Sequence, residues 1–558
     1  MHRDLSKLTE KKFDILVIGG GITGACIVHD AALRGFSVAL IEKEDFGSYT
    51  SSASSKLLHG GIRYLPKAQF RKIRESAREQ AIFQHLAPHL THWIPFLIPT
   101  KKDKFIQGSF AMKLAMFIYQ VLCAGLYVLI RDPAKKPPRT RFYLPDELFN
   151  LIPFLKNAGN ITGGQELWES HMYSSERMVL AFIKTAVKNG AIVANYTEIQ
   201  KLIINSSRVV GAQATDLLTG ESFAIEADLV INAAGPYVQA VNKNIKKLQL
   251  TREITGFSRG VHLVTRQIEP RYALALTTRK KTEGIVTRGG RHFFIIPWRG
   301  KSLIGTTNVP YKRKLDEIRV TEKDISEFLE EINEAAPGIT LRRDDVFYAF
   351  TGIYPLISQK IIKDTYQGTG EYQIVDHQKS DKIDGIVTAL GAKYTTARHV
   401  AEKTIDLVIE KLNSNGPKCR TFETRLAEGD IEDIKEFRRQ CVGKYSRILE
   451  RGLIEHLIRY HGTEIDRIVE LGLEKSLLNK LCEGREVLEV EVYYAVKYEM
   501  ARTLDDMVFR RTGLGTIGHP GEEALEKCAD IMGELLGWNR DEKGRQIARI
   551  MERYSYNN

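Results

Sequence analysis

The chain has 558 residues, too many for one ordinary hydrophobic core, which predicts two or three domains. Its 43% hydrophobic and 27% charged residues are typical of a folded globular protein. The 81 lysines and arginines outnumber 69 aspartates and glutamates, which fits an anionic substrate, anionic lipid, nucleic acid or solubility alone. Nucleic acid is the weakest of these, because no basic run is interleaved with aromatic residues.

The six cysteines are scattered and form neither a C-x-x-C pair nor a zinc-ligand spacing. We therefore predict no metal site and expect reduced thiols in the cytoplasm. The N-terminal segment MHRDLSKLTEKKFD is polar and lacks the apolar core of a secretory signal, which also favours the cytoplasm.

A strand, a glycine turn, a helix and a second strand open the chain. They are predicted over residues 13–18, 19–21, 22–34 and 37–41. In the pattern Gly19-x-Gly21-x-x-Gly24, the first glycine permits the turn and the second lets a pyrophosphate approach the backbone. The third lets the helix pack closely on the strand. This βαβ unit predicts a dinucleotide site at the helix N-terminus.

Glu42 ends the second strand, where a carboxylate accepts hydrogen bonds from ribose hydroxyls and repels the phosphorylated ribose of NADP. Residues 229–236 (LVINAAGP) form an apolar strand that ends in small residues. In flavoproteins with two dinucleotide-binding motifs, such a strand returns beside the first βαβ unit. This feature favours a flavin over a nicotinamide, although an ordinary buried strand explains it equally well.

The rest of the chain is predicted to alternate between helices and strands before it becomes mostly helical. We predict an amphipathic helix over 70–86, a helix over 176–189, a hairpin and strand over 209–236, strands from about 260 to 310, and a strand, turn and helix over 384–413. A break near SNGPKC (414–419) separates two predicted units. Residues 1–415 lie before the break and carry the dinucleotide-binding unit, and residues 416–558 beyond it are predicted to form a helical C-terminal domain.

Residues 110–130 are the most apolar stretch and are long enough to span a bilayer. Lys113 and Gln120 interrupt the stretch, and a span would divide the dinucleotide domain between two sides, so we reject it. The alternatives are an interfacial helix on a membrane and a buried helix of the substrate domain, with equal support. The basic residues that flank the segment favour the interfacial helix: Lys101, Lys102, Lys104, Arg131, Lys135, Lys136, Arg139 and Arg141.

Five further segments carry a family resemblance. They are SSASSKLLHGGIRYL (51–65), RGVHLV (259–264), IIPW with IGTTNVPY (295–311), GAKYTTAR (391–398) and ARTLDDMVFRRTGLG (501–515). In this order, and together with the N-terminal glycines, they resemble the FAD-dependent glycerol-3-phosphate dehydrogenase family from about residue 12 to beyond 515. For Arg510 and Arg511 in the last segment, the simplest interpretation is that they are surface charges.

The resemblance implies an α/β fold with three parts. A Rossmann-like FAD-binding domain of the glutathione-reductase type is interleaved with an antiparallel β substrate domain, and an all-α domain follows. It also implies an oxidoreductase that converts sn-glycerol 3-phosphate to dihydroxyacetone phosphate by hydride transfer to flavin N5. Electrons then pass to a membrane quinone (ubiquinone or menaquinone), or to oxygen in the oxidase branch. A homodimer is left open, as is peripheral attachment to the inner face of the cell membrane.

The resemblance also implies which residues contact FAD. They are Gly19, Gly21, Ile22, Thr23, Gly24, Glu42, Ser51, Ser52, Ser54, Lys56, Leu57, His59, Gly60, Ala233, Gly235, Gly391, Ala392, Lys393, Tyr394 and Thr395.

His59 is the first candidate for the catalytic base, because it lies in a glycine-flanked loop and imidazole exchanges protons near neutral pH. His262 is the rival base and a substrate-binding candidate. Arg63 has a planar guanidinium that suits phosphate oxygens, and Lys393 is expected to reach the substrate. Tyr64 is a further substrate-binding candidate. Read without the resemblance, these residues are a loop histidine, solvated charges and a packing aromatic.

Thr307 is also expected to line the substrate site, although it reads equally well as a strand residue. Thr395 and Thr396 are able to cap the following helix.

Three positions depart from the family pattern. Tyr354 stands where an arginine is expected to clamp the substrate phosphate, Asn308 replaces an acid, and Ala392 replaces a glycine. Tyr354 remains a substrate-binding candidate, but a phenol gives one hydrogen bond and no charge. Either another cation compensates or the substrate differs; the candidate cations are Arg259, Arg288 and Arg398.

These departures keep three hypotheses open. The first is a quinone-linked glycerol-3-phosphate dehydrogenase, and the second is a flavin oxidase or dehydrogenase of another hydroxy-compound or polyol phosphate. The third is a non-enzymatic flavin sensor whose C-terminal helices bind a partner. The retention of His59, Arg63 and Lys393 disfavours the third, because a sensor needs no hydride-transfer pocket.

Overall fold

Two β-sheets and a C-terminal group of helices make up the protein in the computed structural model, which describes residues 1–102, 108–243, 245, 248–278, 291–356 and 371–556. Within those residues the strands are β1 (Phe13–Ile18), β2 (Val38–Ile41), β3 (Leu57–Leu58), β4 (Thr91–Lys101), β5 (Phe142–Tyr143), β6 (Ile161–Met172), β7 (Ile192–Ala194), β8 (Thr197–Asn205), β9 (Arg208–Asp216), β10 (Ser222–Asn232), β11 (Gly256–Thr265), β12 (Ala273–Thr277), β13 (His292–Trp298), β14 (Lys301–Gly305), β15 (Val309–Tyr311), β16 (Val346–Leu356), β17 (Gln373–Asp376) and β18 (Ile386–Leu390).

The helices in the same residues are α1 (Ile22–Leu33), α2 (Phe70–Leu86), α3 (Ser109–Cys123), α4 (Pro145–Leu151), α5 (Ser175–Lys188), α6 (Val238–Asn242), α7 (Glu322–Ala335), α8 (His377–Asp381), α9 (Ala397–Lys411), α10 (Ile434–Tyr445), α11 (Arg451–His461), α12 (Ile465–Lys475), α13 (Glu489–Tyr498), α14 (Glu522–Leu536) and α15 (Arg540–Glu552). Lys104 and Arg288, two basic residues named from the sequence, lie outside the described residues.

The first sheet has the strand order β17-β18-β10-β1-β2-β7. β1 runs parallel to β2 and β10, and β10 runs parallel to β18, so their carboxyl ends meet at one edge. Strand β10, predicted from LVINAAGP, therefore returns beside the first βαβ unit. β1 and β2 are buried along their lengths, as expected for parallel strands covered on both faces. In such sheets ligands bind outside the carboxyl ends, where the strand order reverses.

The second sheet has the order β15-β11-β14-β13-β12-β4-β6-β3, with β16 paired to β11 and β5 paired to β6. Most of its neighbours are antiparallel, including the long pairs β4–β6 and β11–β16. Its strands come from chain segments that alternate with those of the first sheet, because β3 to β6 lie between β2 and β7 in sequence. This confirms the prediction of a substrate sheet interleaved with the dinucleotide-binding domain.

The described chain beyond α9 consists of helices α10 to α15 and a π-helical turn at Asp506–Arg511. This confirms the predicted all-α C-terminal region. The predicted boundary between residues 415 and 416 falls in the connection between α9 and α10. Buried ion pairs tie these helices to the first sheet's helices, since Arg177 of α5 contacts Glu499 (2.6 Å) and Glu428 (3.2 Å).

The apolar segment 110–130 forms one helix and a short turn rather than one long helix. α3 ends at Cys123, before the left-handed Gly125 and a turn at Leu126–Leu129. Met116, Tyr119 and Cys123 are buried, whereas Phe110 (79% exposed) and Phe117 (63% exposed) face solvent. The helix thus has one buried face and one exposed apolar face. No helix among the described residues has the length and apolarity required to cross a bilayer.

One of the basic residues predicted to flank this segment, Lys135, is not the surface charge that was expected. Lys135 is only 5% exposed, and its ammonium donates hydrogen bonds to the carbonyl oxygens of Pro88 (2.9 Å) and Thr91. Burial lowers the pKa of Lys135 to about 7. Five other flanking residues are exposed and remain available to a charged surface: Lys102, Arg131, Lys136, Arg139 and Arg141.

Candidate active site

A cavity of about 390 Å³ opens at the carboxyl ends of β1, β2 and β10. Its walls come from the glycine turn before α1, the end of β2, the segment around residue 51, and the turns that follow β10 and β18. Thirteen of the predicted cofactor residues line it: Gly19, Gly21, Ile22, Thr23, Glu42, Ser51, Ser54, Ala233, Gly235, Gly391, Ala392, Lys393 and Tyr394.

The glycines of the turn leave room for backbone contacts that a side chain would block. A Cβ on Gly24 would lie 1.8 Å from the carbonyl oxygen of Gly19, so this glycine permits the close approach of α1 to the turn. Gly19 adopts a φ of +107°, a conformation that favours glycine. A Cβ on Gly21 would lie 3.1 Å from the Ser51 hydroxyl at the start of α1. The geometry therefore gives Gly19 the turn and Gly24 the close packing expected of them, and Gly21 lines the cavity.

Glu42 lines the same cavity beside the glycine turn. Its carboxylate accepts hydrogen bonds from the backbone N–H groups of Gly20 (2.6 Å) and Glu44 (2.9 Å). Burial raises the pKa of Glu42, and these two donors partly oppose that effect. The carboxylate is therefore fixed where a ribose hydroxyl would donate to it.

Other predicted cofactor residues do not line the cavity. They are Gly24, Ser52, Lys56, Leu57, His59, Gly60 and Thr395. The ammonium of Lys56 forms a buried ion pair with Glu176 at 2.8 Å and also bonds the Ser175 hydroxyl. Lys56 thus holds the segment before β3 to the start of α5, a structural role that the sequence did not indicate.

Among the cavity residues that the sequence reasoning missed, three lie together: Lys43, Tyr49 and Tyr237. The two phenol rings lie 5.5 Å apart, and the Lys43 ammonium lies 4.0 Å from the centre of the Tyr237 ring. Asp316, after β15, accepts a hydrogen bond from the Tyr237 hydroxyl at 2.7 Å and pairs with Lys43 at 3.1 Å. This contact joins the substrate sheet to the rim of the cavity.

Arg510 and Arg511 are buried, so their interpretation as surface charges is wrong. Arg510 is 6% exposed and Arg511 is 1% exposed. The Arg511 guanidinium donates two hydrogen bonds of 2.6 and 2.7 Å to the Asp45 carboxylate, and Arg510 donates a third of 2.8 Å. Asp45 lies three residues after Glu42, so the C-terminal helices hold the loop that ends at the cavity wall.

His59 connects the loop after β3 to the turn before α9. Its backbone N–H donates to the Thr395 hydroxyl at 3.1 Å, so Thr395 serves this loop. Thr396 lies at the N-cap position of α9 but makes no side-chain cap bond. The His59 ring is 40% exposed, and its Nδ1 lies 3.7 Å from Oε1 of Glu169, a buried carboxylate that the sequence did not reveal.

His262 has a different environment from His59. The ring is 4% exposed, stacks on Phe350 at 5.0 Å and places Nε2 2.9 Å from the Ser55 hydroxyl. Burial, and then the nearby Lys56, lower the pKa of His262 to about 3. This imidazole is neutral at pH 7 and lies behind the cavity wall rather than in it.

Arg63, Tyr64 and Lys393 form a basic cluster beside the cavity. The Arg63 guanidinium donates to the Tyr64 hydroxyl at 2.9 Å, and the Lys393 ammonium lies 4.7 Å from the centre of the same ring. Burial alone raises the pKa of Tyr64, but the two cations outweigh it and lower this pKa. Burial lowers the pKa of Lys393, and Tyr64 opposes this effect. The structure thus brings together three of the predicted substrate residues.

Thr307 and Tyr354 occupy the wall formed by the substrate sheet. The Thr307 hydroxyl accepts a hydrogen bond from the backbone N–H of Val261 at 2.9 Å, which holds it within the sheet. Tyr354 lines the cavity, and its hydroxyl donates to the side-chain oxygen of Asn308 at 2.7 Å. Two of the three departures from the family pattern, Tyr354 and Asn308, therefore contact each other.

Two of the cations proposed to compensate for Tyr354 are engaged elsewhere. Arg259 pairs with Asp324. Arg398 is 1% exposed and forms a two-pronged ion pair with Glu79, with bonds of 2.7 and 2.6 Å. Among the described residues, Lys393 and Lys43 line the cavity together with Tyr354, and Arg63 is connected to Lys393 through Tyr64.

The cavity has the features that FAD requires. The N-terminus of α1 and the side-chain-free Gly21 suit a pyrophosphate, because free N–H groups and the helix dipole favour its charge. The buried carboxylate of Glu42 suits ribose hydroxyls. The same cavity continues to Gly391 and Lys393, where the isoalloxazine end of the cofactor would approach the basic cluster.

Comparisons with known proteins agree with this geometry. The profile of the FAD dependent oxidoreductase family matches residues 14–406, and that of the C-terminal domain of alpha-glycerophosphate oxidase matches residues 419–543. A glycerol-3-phosphate dehydrogenase of Synechocystis sp. is 30% identical over 99% of this chain and 98% of its own. The aerobic glycerol-3-phosphate dehydrogenase of Bacillus subtilis is 31% identical over 98% and 96%.

A solved structure, the glycerol-3-phosphate dehydrogenase of Bacillus halodurans complexed with FAD, covers 98% of this chain and 96% of its own length. Its TM-score is 0.75 at 28% identity. Fold and cavity together define an FAD-dependent oxidoreductase with a Rossmann-like cofactor domain. Within that class, the full-length relatives show that the chain belongs to the FAD-dependent glycerol-3-phosphate dehydrogenase family.

Proposed function

We propose that the protein oxidises sn-glycerol 3-phosphate to dihydroxyacetone phosphate and passes the electrons to a membrane quinone. The basic cluster of Arg63, Tyr64 and Lys393 against the cofactor cavity carries this proposal, because a phosphate dianion requires cations and hydrogen-bond donors. The names of the full-length relatives support the same substrate. FAD, when bound, accepts the hydride that leaves carbon 2 of the substrate.

Arg63 and Lys393 divide the binding of the phosphate between them. Arg63 is exposed, and its planar guanidinium is able to bind two phosphate oxygens at once. Lys393 is less accessible, so water screens its charge less and its attraction for the dianion is stronger. Tyr64 lies between the two cations and fixes their separation.

His59 is the proposed base that removes the proton of the substrate hydroxyl. It is accessible and faces a carboxylate, which stabilises the imidazolium formed when the ring takes up that proton. His262 is less suited, because its pKa of about 3 means that it holds a proton weakly at neutral pH. We assign His262 to the support of the substrate wall, through Ser55 and Phe350.

A second candidate function follows from the wall at Tyr354. The neutral contact between Tyr354 and Asn308 supplies no charge to a phosphate, so this wall favours a substrate with hydroxyl groups at that end, such as a larger polyol phosphate. The basic cluster is common to both candidates.

The exposed face of α3 supports attachment to a membrane, where a quinone is found. Phe110, Leu114, Phe117 and Val121 lie three or four positions apart and are 50–79% exposed, so they form one apolar stripe. Exposed lysines and arginines flank the helix. At the cytoplasmic face of a membrane they would attract anionic lipids. An amphipathic helix of this type lies in the membrane interface rather than across it.

Anaerobic mixing of the holoenzyme with sn-glycerol 3-phosphate tests the substrate. Loss of the visible flavin absorbance within the turnover time is the expected result. Loss with another polyol phosphate but not with sn-glycerol 3-phosphate would establish the second candidate instead. Absorbance unchanged by every hydroxy-compound would leave a flavin-binding sensor. Mixing the reduced enzyme with a quinone or with oxygen then identifies the electron acceptor. Faster reoxidation by oxygen than by the quinone would contradict the proposal that a quinone accepts the electrons.

A further inference from the structure

We propose that Glu169 is a positioning residue, which orients the His59 ring and stabilises its protonated form during the reaction. The inference rests on the proposed function, in which His59 is the base. It concerns a carboxylate that neither the family motifs nor the sequence pattern singled out, because Glu169 lies within the long strand β6.

The carboxylate of Glu169 is held rigidly. It is 3% exposed, and its Oε2 accepts hydrogen bonds from the backbone N–H of Gly60 (2.8 Å) and from the side-chain amide of Gln80 (2.9 Å). Gln80 is itself fixed, because the same amide group donates to the carbonyl oxygen of Leu58 at 2.7 Å. A buried carboxylate with two donors on one oxygen has its other oxygen left for a further partner.

That other oxygen faces the proposed base. Oε1 of Glu169 lies 3.7 Å from Nδ1 of His59, close enough for a strong charge interaction and slightly longer than a hydrogen bond. Catalytic hydrogen bonds are often long before the substrate binds and shorten in the reacting complex. A proton on Nδ1 points to Glu169 in this arrangement, so the lone pair of Nε2 is left for the substrate.

The proton and the charge balance in the resulting step. The substrate O–H bond breaks, its proton forms a bond to Nε2 of His59, and the electron pair of that O–H bond becomes part of the new C=O bond. FAD, when bound, would be the acceptor of the hydride from carbon 2. The ring then carries one positive charge, which the carboxylate of Glu169 compensates. Since the His59 ring is 40% exposed, the proton is afterwards able to pass to water.

The other ionisable groups around Glu169 do not compete for this role. Tyr119 and Cys123 of α3, and Tyr127 after it, face the carboxylate and are neutral at pH 7, because burial raises their pKa values, that of Cys123 to about 11. Arg74 of α2 acts on Cys123, whose thiol pKa it lowers, and donates to the carbonyl oxygen of Leu122 at 2.7 Å.

On the substrate side of the His59 loop, the charged groups include those of the basic cluster, Arg63 and Lys393, with the ionisable Tyr64 between them. Their positive charge opposes protonation of the neighbouring base. The carboxylate of Glu75 acts on Lys393 of this cluster. The uncharged ring of Phe294 in β13 packs beside the His59 ring, with the two ring centres 5.7 Å apart. Glu169 is the carboxylate whose oxygen lies within 3.7 Å of the His59 ring, and it therefore favours the imidazolium.

The pH dependence of kcat/KM in the holoenzyme tests the proposal. We expect Glu169→Gln to lower kcat/KM about tenfold and to move the acid limb of its profile to lower pH by about one unit. Glu166→Gln is the matched control, because Glu166 lies on the same strand, is 5% exposed and bonds the Tyr143 hydroxyl at 2.9 Å. The control should leave the acid limb in place.

A double-mutant cycle separates this proposal from the assignment of the base. In the His59→Asn background, Glu169→Gln should change kcat/KM by less than about twofold, because its effect acts through the ring. An acid limb that stays in place in Glu169→Gln, or an equal loss in both backgrounds, overturns the role of Glu169. If His59→Asn has the same kcat/KM as the natural enzyme, the assignment of His59 as the base is refuted instead. If Glu169→Gln does not accumulate as holoenzyme, Glu169→Asp should show a smaller shift in the same direction, and no shift there also overturns it.

Discussion

The hydroxyl of Tyr354 donates a hydrogen bond to the side-chain oxygen of Asn308 over 2.7 Å. The family resemblance led us to expect an arginine and an acid at these two positions, so the two departures together replace an expected charged pair with a neutral pair. Because the single hydrogen of the phenol points to Asn308, Tyr354 has none to give to a phosphate. The cations of the basic cluster must then hold the phosphate without help from this wall.

Restoring the charged pair should strengthen the binding of sn-glycerol 3-phosphate. We expect the double variant Tyr354→Arg with Asn308→Asp to lower KM about tenfold, since a hydrogen bond to a charged group contributes about 1.5 to 3 kcal/mol. Asn308→Asp alone should raise KM, because it adds a carboxylate without a cation. Steady-state kinetics measures both. A KM that is the same in the double variant and the natural protein would show that this wall does not face the phosphate.

The contact between Asp45 and the two arginines should dominate the stability of the cofactor domain. Asp45→Asn leaves two buried guanidinium groups without their shared carboxylate and should cost about 3 to 5 kcal/mol of unfolding free energy. Affinity for FAD should fall as well, because the loop that Asp45 anchors begins at Glu42. Denaturant unfolding and flavin release measure the two effects.

A surface ion pair provides the control for that variant. Asp530 pairs with Lys543 at 2.6 Å but is 65% exposed, so Asp530→Asn should change the unfolding free energy by less than about 1 kcal/mol. If both variants lose the same stability, the buried contact has no special weight.

Buried neutral histidines should make the protein sensitive to mild acid. Burial, and then Arg398, lower the pKa of His29 to about 3, whereas the unfolded chain has a value near 6.5. Below pH 6.5 the unfolded state therefore binds a proton that the folded state does not, and stability falls as the pH drops from 6.5 towards 3. This histidine alone accounts for a loss of about 2 kcal/mol between pH 7 and pH 5.

His29→Leu tests this prediction, because both ring nitrogens of His29 lack a partner and their removal breaks no hydrogen bond. We expect the loss of unfolding free energy between pH 7 and pH 5 to be smaller by about 2 kcal/mol in this variant. The same replacement at the exposed His292 should leave the pH dependence as it is. An unchanged pH dependence in His29→Leu would contradict the burial argument.

The apolar stripe of α3 should determine binding to lipid. Leu114→Ser and Phe117→Ser each remove an exposed apolar side chain and should weaken binding to vesicles that contain anionic lipid about tenfold. Quinone-linked activity should fall relative to activity with a water-soluble dye. Leu473→Ser, at a site 55% exposed on α12, is the control and should bind vesicles normally. Equal binding by all three variants would remove the role of α3.

Local patterns were sufficient to predict the cofactor half of the site. The glycine turn, the apolar strands around it and Glu42 lie within one short stretch of chain, so their spacing alone defined the turn, the helix and the carboxylate. Small residues after β10 were predicted to lie beside them, and the parallel pairing of β1 with β10 confirms this. The helical C-terminal region was predicted correctly from the residue patterns beyond position 416, and the interleaved second sheet from the family resemblance.

Contacts between distant parts of the chain were not predictable in the same way. Glu169 reaches His59 from a strand about a hundred positions away, and nothing in its own segment marks it as different from Glu166. Arg511 belongs to a motif that was recognised, but a pair of arginines in a sequence gives no sign of burial until the carboxylate that neutralises them is known. Lys56 was assigned to the cofactor for the same reason, because its partner Glu176 follows much later.

The buried contact between Asp45 and Arg511 also bears on the order in which the protein is made. The two residues are 466 positions apart, so at about 5 to 20 residues per second a ribosome needs roughly 20 to 90 seconds to add the second after the first. Throughout that time the loop behind Glu42 has a carboxylate whose permanent partner does not yet exist. Loading of the cofactor is therefore expected to follow the release of the finished chain rather than to accompany the synthesis of its first domain.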